Sequence, residues 1–304
     1  MTKTNKNLHI ETLRGIAILL VVIGHVIGST PEGGMRIDFP SPWRYLYLWI
    51  DYIQMPLFTA IAGWVYALKP IEASFSGKFM TRKACRLLVP MAVAATLYFL
   101  IQYITPGTNQ KGNLEDIWKI YVFPYTIYWY LPSLFLMFAA IHMIDTNRWM
   151  DKLSGWATCL VCAFAGLVAQ KVSLSDGQVP NLFSFMGAMA QFPYFVAGVG
   201  INRFSKQIIT RKIKITLSLL AIVGVLSLQL EWFYPAVSKD ILYSLTRPLW
   251  VIATLALLLN QSYSSRLFTW IGSYAYIIYL YHGFGTSGSR IILNRLGVSS
   301  EILI

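Results

Sequence analysis

The chain has 304 residues, 56% of them hydrophobic and only 12% charged, with a mean hydropathy of +0.54. A soluble domain is about one quarter charged, so the composition argues against a soluble enzyme, and the recurring apolar runs make the chain a polytopic membrane protein. The net charge of +12 is no sign of nucleic acid, because the cations stand in short connections between those runs, where orientation signals belong.

Backbone groups in lipid need internal partners, and the runs are too long for barrel strands. The predicted fold class is therefore all-α, a transmembrane helical bundle. In chain order the predicted spans are 13–30, 45–68, 87–104, 124–144, 154–171, 185–202, 215–232, 244–261 and 268–284, nine in all. The segments 31–44, 105–123, 172–184 and 233–243 carry Pro, Gly and Asn and read as outward loops. One side of the membrane collects Lys3, Lys6, Arg14, Lys69, Lys78, Arg82, Lys83, Arg86 and the later cations of the same parity, sixteen in all. The other side holds nine, among them Arg36, Arg44, Lys111, Lys119, Arg247, Arg290 and Arg295. That bias places the N-terminus in the cytoplasm. The final SSEILI begins where a new apolar run would begin. A tenth span is expected there, and the chain reads as a single transmembrane domain over 1–304, truncated at its C-terminus.

Lys3 and Lys6 precede the first run, but no small-x-small cleavage site follows, so the first span is retained rather than cleaved. Cys85, Cys159 and Cys162 lie in or beside predicted spans. The CxxC at 159–162 has no histidine or second pair near it and reads as packing rather than metal or redox chemistry. Tyr121, Tyr125, Tyr128, Trp129 and Tyr130 form one aromatic stretch, and Trp43, Tyr45, Tyr47 and Trp49 another. Both read chiefly as interfacial belts, with a sugar-stacking platform as the minority reading. Glu231 and Arg247 flank the fourth outward loop and are expected to pair.

The first run, LRGIAILLVVIGH (13–25), sets an arginine eleven residues before a histidine. On an α-helix that is three turns plus about 20°, with a rise of about 16 Å. Arg14 and His25 therefore share one face, the arginine at the cytoplasmic edge and the histidine near mid-membrane. Glu11 lies one turn before Arg14 and is placed to pair with it. An ionisable residue at that depth faces a cavity or a partner. From the residues alone two readings stand: a core histidine bonded to another helix, or a proton carrier near neutral pH.

Further stretches carry a resemblance: DYIQMPLFTAIAGWVY (51–66), RKACRLLVP (82–90), WYLPSLFLMF (129–138) and IGSYAYIIYLYH (271–282). Together with the Arg-x10-His of the first run, and in the same order, they resemble the membrane-bound acyltransferase-3 family. The chain departs from the family pattern at Lys83-x-x-Arg86, where Arg-x-x-Arg is usual, and at Ala62-Gly63, where Ser-Gly is commoner. The resemblance implies an integral-membrane O-acyltransferase of the bacterial inner membrane. It would move an acyl group, acetyl above all, from cytoplasmic acyl-CoA to a hydroxyl of an envelope carbohydrate or glycolipid. No bound cofactor is implied, acyl-CoA being a co-substrate, and neither a metal nor nucleic acid is expected.

In that chemistry His25 is the candidate catalytic residue, as general base on the acceptor hydroxyl or as acyl carrier. Arg14, Arg82, Lys83 and Arg86 are candidates for the donor's phosphates, since arginine–phosphate pairs are strong and directional. Arg82 and Arg86 stand at i, i+4, and Lys83 and Arg86 at i, i+3, so a shared face is open to them. Glu11, Asp51 and Trp129 are candidates for orienting these groups or for holding the acceptor. His282 has no role beyond that of a polar residue at a span's end. The competing reading is a transporter or flippase for an envelope glycan precursor, with His25, Asp51 and Arg247 as pathway residues. It calls for matching broken helices in two halves, and no such symmetry is visible. A scaffold role would tolerate loss of both Arg14 and His25.

Overall fold

The computed structural model describes residues 7–68, 77–106, 112–174 and 179–297. The described residues are helical and contain no strand. The α-helices in chain order are α1 Leu8–Ile27, α2 Pro42–Tyr66, α3 Gly77–Ile104, α4 Lys119–Val122, α5 Tyr130–Thr146, α6 Leu153–Ser173, α7 Phe185–Ile208, α8 Arg211–Phe233, α9 Ile241–Leu259, α10 Arg266–Ser273 and α11 Ala275–Arg295. Seven described segments are long and apolar enough to cross a membrane: Leu8–Ile27, Gly77–Ile104, Leu114–Thr146, Leu153–Val172, Leu182–Ile208, Arg211–Phe233 and Ile241–Leu259.

The last predicted span is not one helix. The apolar run 268–284 breaks at Tyr274, between α10 and α11, and α11 continues to Arg295. Arg290 and Arg295, read as loop cations, thus belong to a helix. The helices formed by 45–68 and 268–284 fall outside the seven apolar candidates. The predicted loop 105–123 holds a 3-10 turn at Leu114–Asp116 and the short α4. Lys3, Lys6, Lys69, Lys111 and the SSEILI tail lie outside the described residues.

The chain divides into two compact units, 1–68 with 197–304, and 69–196. In the first unit α1 packs against α10, α2 and α11, while α8 packs against α9. Asn7 starts α1 by accepting a hydrogen bond from the Ile10 amide at 3.2 Å, which satisfies one of the first turn's free donors. Ala17, Ile18 and Val21 are fully buried. The contact with α10 is made backbone to backbone. A Cβ on Gly15 would collide with the Phe268 carbonyl, and one on Gly272 with the Glu11 carbonyl. Small residues at a helix crossing allow this close approach in membranes, where packing rather than water expulsion holds helices together. Polar contacts pin the same crossing. Thr12 and Thr269 hydroxyls lie 2.9 Å apart, and the Ser265 amide donates to Thr12 Oγ1 at 3.1 Å. The ring of His9 lies between two carbonyl oxygens, Nδ1 2.7 Å from that of Tyr263 and Nε2 2.8 Å from that of Leu258.

In the second unit α5 lies against α3 and buries Tyr130, Leu131, Leu134, Met137, Phe138 and Ile141. Ser133 Oγ donates to the Ser184 carbonyl at 2.8 Å, and Trp156 Nε1 to the Val196 carbonyl at 2.9 Å. Tyr128 and Tyr130 are 1% and 2% exposed. These two rings are core, a correction to the interfacial belt expected for their stretch. Cys85, Cys159 and Cys162 are all free thiols.

Overpacking a tight contact costs about 1–3 kcal/mol, so Gly15→Val is expected to lower the thermal midpoint of the detergent-purified protein. Gly288, whose added Cβ would meet nothing within 4 Å, is the control: Gly288→Ala is expected to leave the midpoint unchanged or raise it.

Candidate active site

His25 occupies the last turn of α1, and Gly28 ends that helix with φ +86°. Its Nδ1 lies 2.8 Å from the Val21 carbonyl oxygen, one turn back. A carbonyl accepts and never donates, so Nδ1 carries the proton and the neutral ring keeps a lone pair on Nε2. The side chain is partly exposed. Its ring meets the ring of His282 on α11 edge to face, with centroids 4.8 Å apart and planes at 73°. His282 is 7% exposed and repeats the arrangement: Nδ1 donates to the Tyr279 carbonyl at 2.8 Å. Its Nε2 is buried with no hydrogen-bond partner among the described residues. Gln54 of α2 comes beside the same turn of α1, for a Cβ on Gly24 would stand 2.8 Å from Gln54 Oε1. That oxygen is also buried and without a partner among the described residues.

At the other end of α1, Arg14 Nη1 meets Glu11 Oε1 at 2.8 Å. The arginine side chain is 28% exposed and the glutamate 9%. Glu11 Oε2 is buried and has no partner among the described residues. Arg14 thus presents a guanidinium oriented from one side by Glu11.

The loop that follows His25 is organised by Arg44, which the sequence placed among the outward orientation charges. Arg44 is 9% exposed. Its Nε donates to the Ile37 carbonyl, Nη1 to the Gly28 carbonyl and Nη2 to the Thr30 carbonyl, each at 2.7 Å. A planar fork of five donors can hold three carbonyls at once, which an ammonium cannot do in the same geometry. In the same loop Glu32 is fully exposed. The Thr30 hydroxyl, then a backbone amide, hold its carboxyl below the usual range, and Arg44 adds to this.

Asp51 of α2 pairs with Arg247 of α9 at 2.9 Å. Glu231, expected to pair with that arginine, instead accepts from the Tyr243 hydroxyl at 2.6 Å. Asp51 is the nearer acid because α2 brings it to the arginine from a position far away in sequence, which loop proximity does not reveal.

The remaining candidates belong to the second unit. Arg82 and Arg86 are both exposed on α3. Lys83 Nζ lies 3.3 Å from the centroid of the Phe138 ring and 5.5 Å from that of Phe79. A cation over an aromatic face is held electrostatically by the ring quadrupole. Trp129 ends a 3-10 turn ahead of α5, its ring close to Gly187 and edge-on to Tyr130 at 5.8 Å. Among the described residues no group of three His, Cys, Asp or Glu side chains is placed to hold a metal ion. Sequence reasoning saw His282 and gave it no work. The signal available was its position in the Tyr-Leu-x-His ending, but its partner lies far away in the chain.

Comparison with known proteins follows the same direction. The model of a family described as an acyltransferase domain matches residues 7–304. The nodulation protein NolL of Mesorhizobium japonicum is 28% identical over 167 residues, which is 53% of this chain and 42% of that protein. The chain thus spans less than half of that relative's length. No solved structure matches.

Arg44→Met is expected to open the loop between α1 and α2, because three carbonyls lose their donor and each buried unpaired group costs about 1–3 kcal/mol. Limited proteolysis at residues 28–41 should be faster in that variant than in the native protein. Equal rates would show that the loop holds without the guanidinium.

Proposed function

The chain belongs to the acyltransferase-3 family; from that premise we propose that it is an integral-membrane O-acyltransferase. In this reading it moves an acyl group, acetyl above all, from cytoplasmic acyl-CoA to a hydroxyl of a cell-envelope carbohydrate, and its N-terminus is cytoplasmic.

The observation that carries the reading is the hydrogen bond from His25 Nδ1 to Val21. It fixes the tautomer and leaves Nε2 as a base. In the direct route Nε2 takes the acceptor's hydroxyl proton while the oxygen attacks the thioester carbonyl. The C–S bond breaks and the proton passes to the departing thiolate. In the two-step route Nε2 attacks the thioester carbonyl, the C–S bond breaks and the thiolate leaves; the acceptor oxygen then takes the acyl group from the acyl-imidazolium, the N–C bond breaks to restore the Nε2 lone pair, and the acceptor's proton passes to the thiolate. Both routes use the same atom. Gln54 Oε1, an acceptor beside this turn with no partner among the described residues, suits a hydroxyl-bearing substrate.

Arg14 suits the donor's phosphates. Eleven residues of helix separate it from His25 by about 16 Å, a span matched to the extended pantetheine arm between the pyrophosphate and the thioester. Glu11 holds the guanidinium in place. Arg82 and Arg86, exposed on α3 of the second unit, suit anionic groups in their own right.

Label transfer from radiolabelled acetyl-CoA, in membranes expressing the protein, tests the reading. General acid–base groups contribute about 10²–10⁴-fold, so His25→Ala should lose transfer by at least that lower factor while inserting normally. Undiminished transfer by that variant would remove His25 from the mechanism. Arg14→Ala should raise KM for acetyl-CoA with kcat retained, since a charge-assisted contact of about 1.5–3 kcal/mol is lost from ground and transition states alike. A fall in kcat at unchanged KM would contradict donor binding.

A further inference from the structure

We propose that Asp51 and Arg247 form a recognition subsite for the acceptor: from a polar cleft open to the outer aqueous phase, the pair reads adjacent hydroxyls of an uncharged polyhydroxyl group on its way to His25. This names the acceptor class for the transfer proposed above and rests on that reading.

The sequence of α2 comes first. Arg44, Tyr47, Asp51 and Gln54 recur at i, i+3, i+7 and i+10. On an α-helix that spacing confines them to an arc of about 80° and spreads them over about 15 Å. α2 thus carries a polar stripe, and it is not among the segments apolar enough to cross a membrane. Both ends of the stripe meet the chain around His25. At the outer end Arg44 holds the loop that follows α1. At the inner end a Cβ on Gly24, the residue before His25, would stand 2.8 Å from Gln54 Oε1 and 3.2 Å from Ile50 Cγ2. Asp51 follows Ile50 in the chain and therefore lies at the depth of the His25 turn.

Asp51 meets Arg247 of α9 at 2.9 Å, yet its side chain is 44% exposed and that of Arg247 24%. From Pro42 to Asp51 along α2 is about 13 Å, and from Ile241 to Arg247 along α9 about 9 Å. The pair is thus well inside α9, a segment long and apolar enough to span a membrane. At that depth an exposed ion pair faces hydrocarbon or water. Ionised side chains within spans face a cavity or a partner rather than lipid. A pair that only clasped α2 to α9 would have no use for this exposure.

The chemistry of the exposed edge selects the ligand. A carboxylate accepts and a guanidinium donates. Two neighbouring hydroxyls match both at once, one O–H donating to Asp51 and the other oxygen accepting from Arg247. An anionic ligand is opposed by Asp51 and an ammonium by Arg247. The Tyr52 ring, its centroid 5.9 Å from Arg247 Cζ, supports the guanidinium from α2.

The test supplies the detergent-purified full chain with radiolabelled acetyl-CoA and graded amounts of carbohydrate extracted from the envelope of cells that carry the protein. Asp51→Asn and Arg247→Gln are each expected to raise the apparent KM for that carbohydrate about tenfold, with KM for acetyl-CoA unchanged. Asp51→Leu combined with Arg247→Leu removes both charges without stranding either, so a clasp that acts by packing survives it. This double variant is expected to keep the native thermal midpoint and show the raised KM. A native acceptor KM in these variants, or a raised KM only where the thermal midpoint falls, would overturn the inference. The cleft is read without activity. In a Cys85→Ala, Cys159→Ala, Cys162→Ala background, Asp51→Cys in right-side-out vesicles should react with a membrane-impermeant charged thiol reagent. Leu226→Cys, at a 60% exposed position of the apolar helix α8, should not. An unreactive Asp51→Cys would overturn the cleft. Label transfer that depends on His25, with an unchanged acceptor KM in the pair variants, would strike this inference and leave the reading of His25 standing. No transfer by the native protein would overturn that reading and the subsite with it.

Discussion

The contact between α1 and α10 is the constraint on which the first unit depends. Gly15 and Gly272 let two backbones meet where any side chain would collide. In lipid the alternative environment is as apolar as the helix itself, so close packing and internal hydrogen bonds must do the holding. Thr12, Thr269 and His9 supply those bonds at the same crossing. With its translation and rotation fixed there, α1 has no freedom to choose which way its polar face turns. Arg14 and His25 inherit their directions from a contact that neither of them makes.

Polar groups in an apolar frame must be paired or useful, and unsatisfied ones in a membrane cost several kcal/mol each. Arg44 is a paired case, with three carbonyls on one guanidinium and the loop after α1 shaped around it. Asp51 with Arg247, and Glu231 with Tyr243, are further paired cases. His282 Nε2, Gln54 Oε1 and Glu11 Oε2 are different. All three are acceptors. The first two lie beside the His25 turn, and the third belongs to the acid that orients Arg14. Acceptors without a partner among the described residues, beside His25 and beside Arg14, suit a substrate that brings its own donors.

Much of α1 was legible from its residues. A charge-free run bounded by Arg14 and His25 specifies a helix, and the 3.6-residue repeat specifies one shared face. Glu11 and Arg14 follow from local spacing in the same way. What escaped was whatever a distant partner decides. Arg44 looked like an orientation charge because its carbonyl partners belong to an irregular loop that no periodicity describes. The break at Tyr274 escaped because the run around it stays apolar and contains no proline. Lys83 kept its place in a cationic triplet on paper, yet the ring of Phe138 on α5 takes it. His282 needed the pairing of α11 with α1 before it could mean anything.

Histidine footprinting tests most directly the claim that the donor's thioester end lies at His25. The full-length protein in membranes would be treated with an acylating histidine reagent, alone and with a non-reactive thioether analogue of acetyl-CoA. Modified positions would be read by mass spectrometry. The account predicts that the analogue protects His25, and that protection is lost in Arg14→Ala at the same analogue concentration. Equal modification of His25 with and without saturating analogue would contradict it.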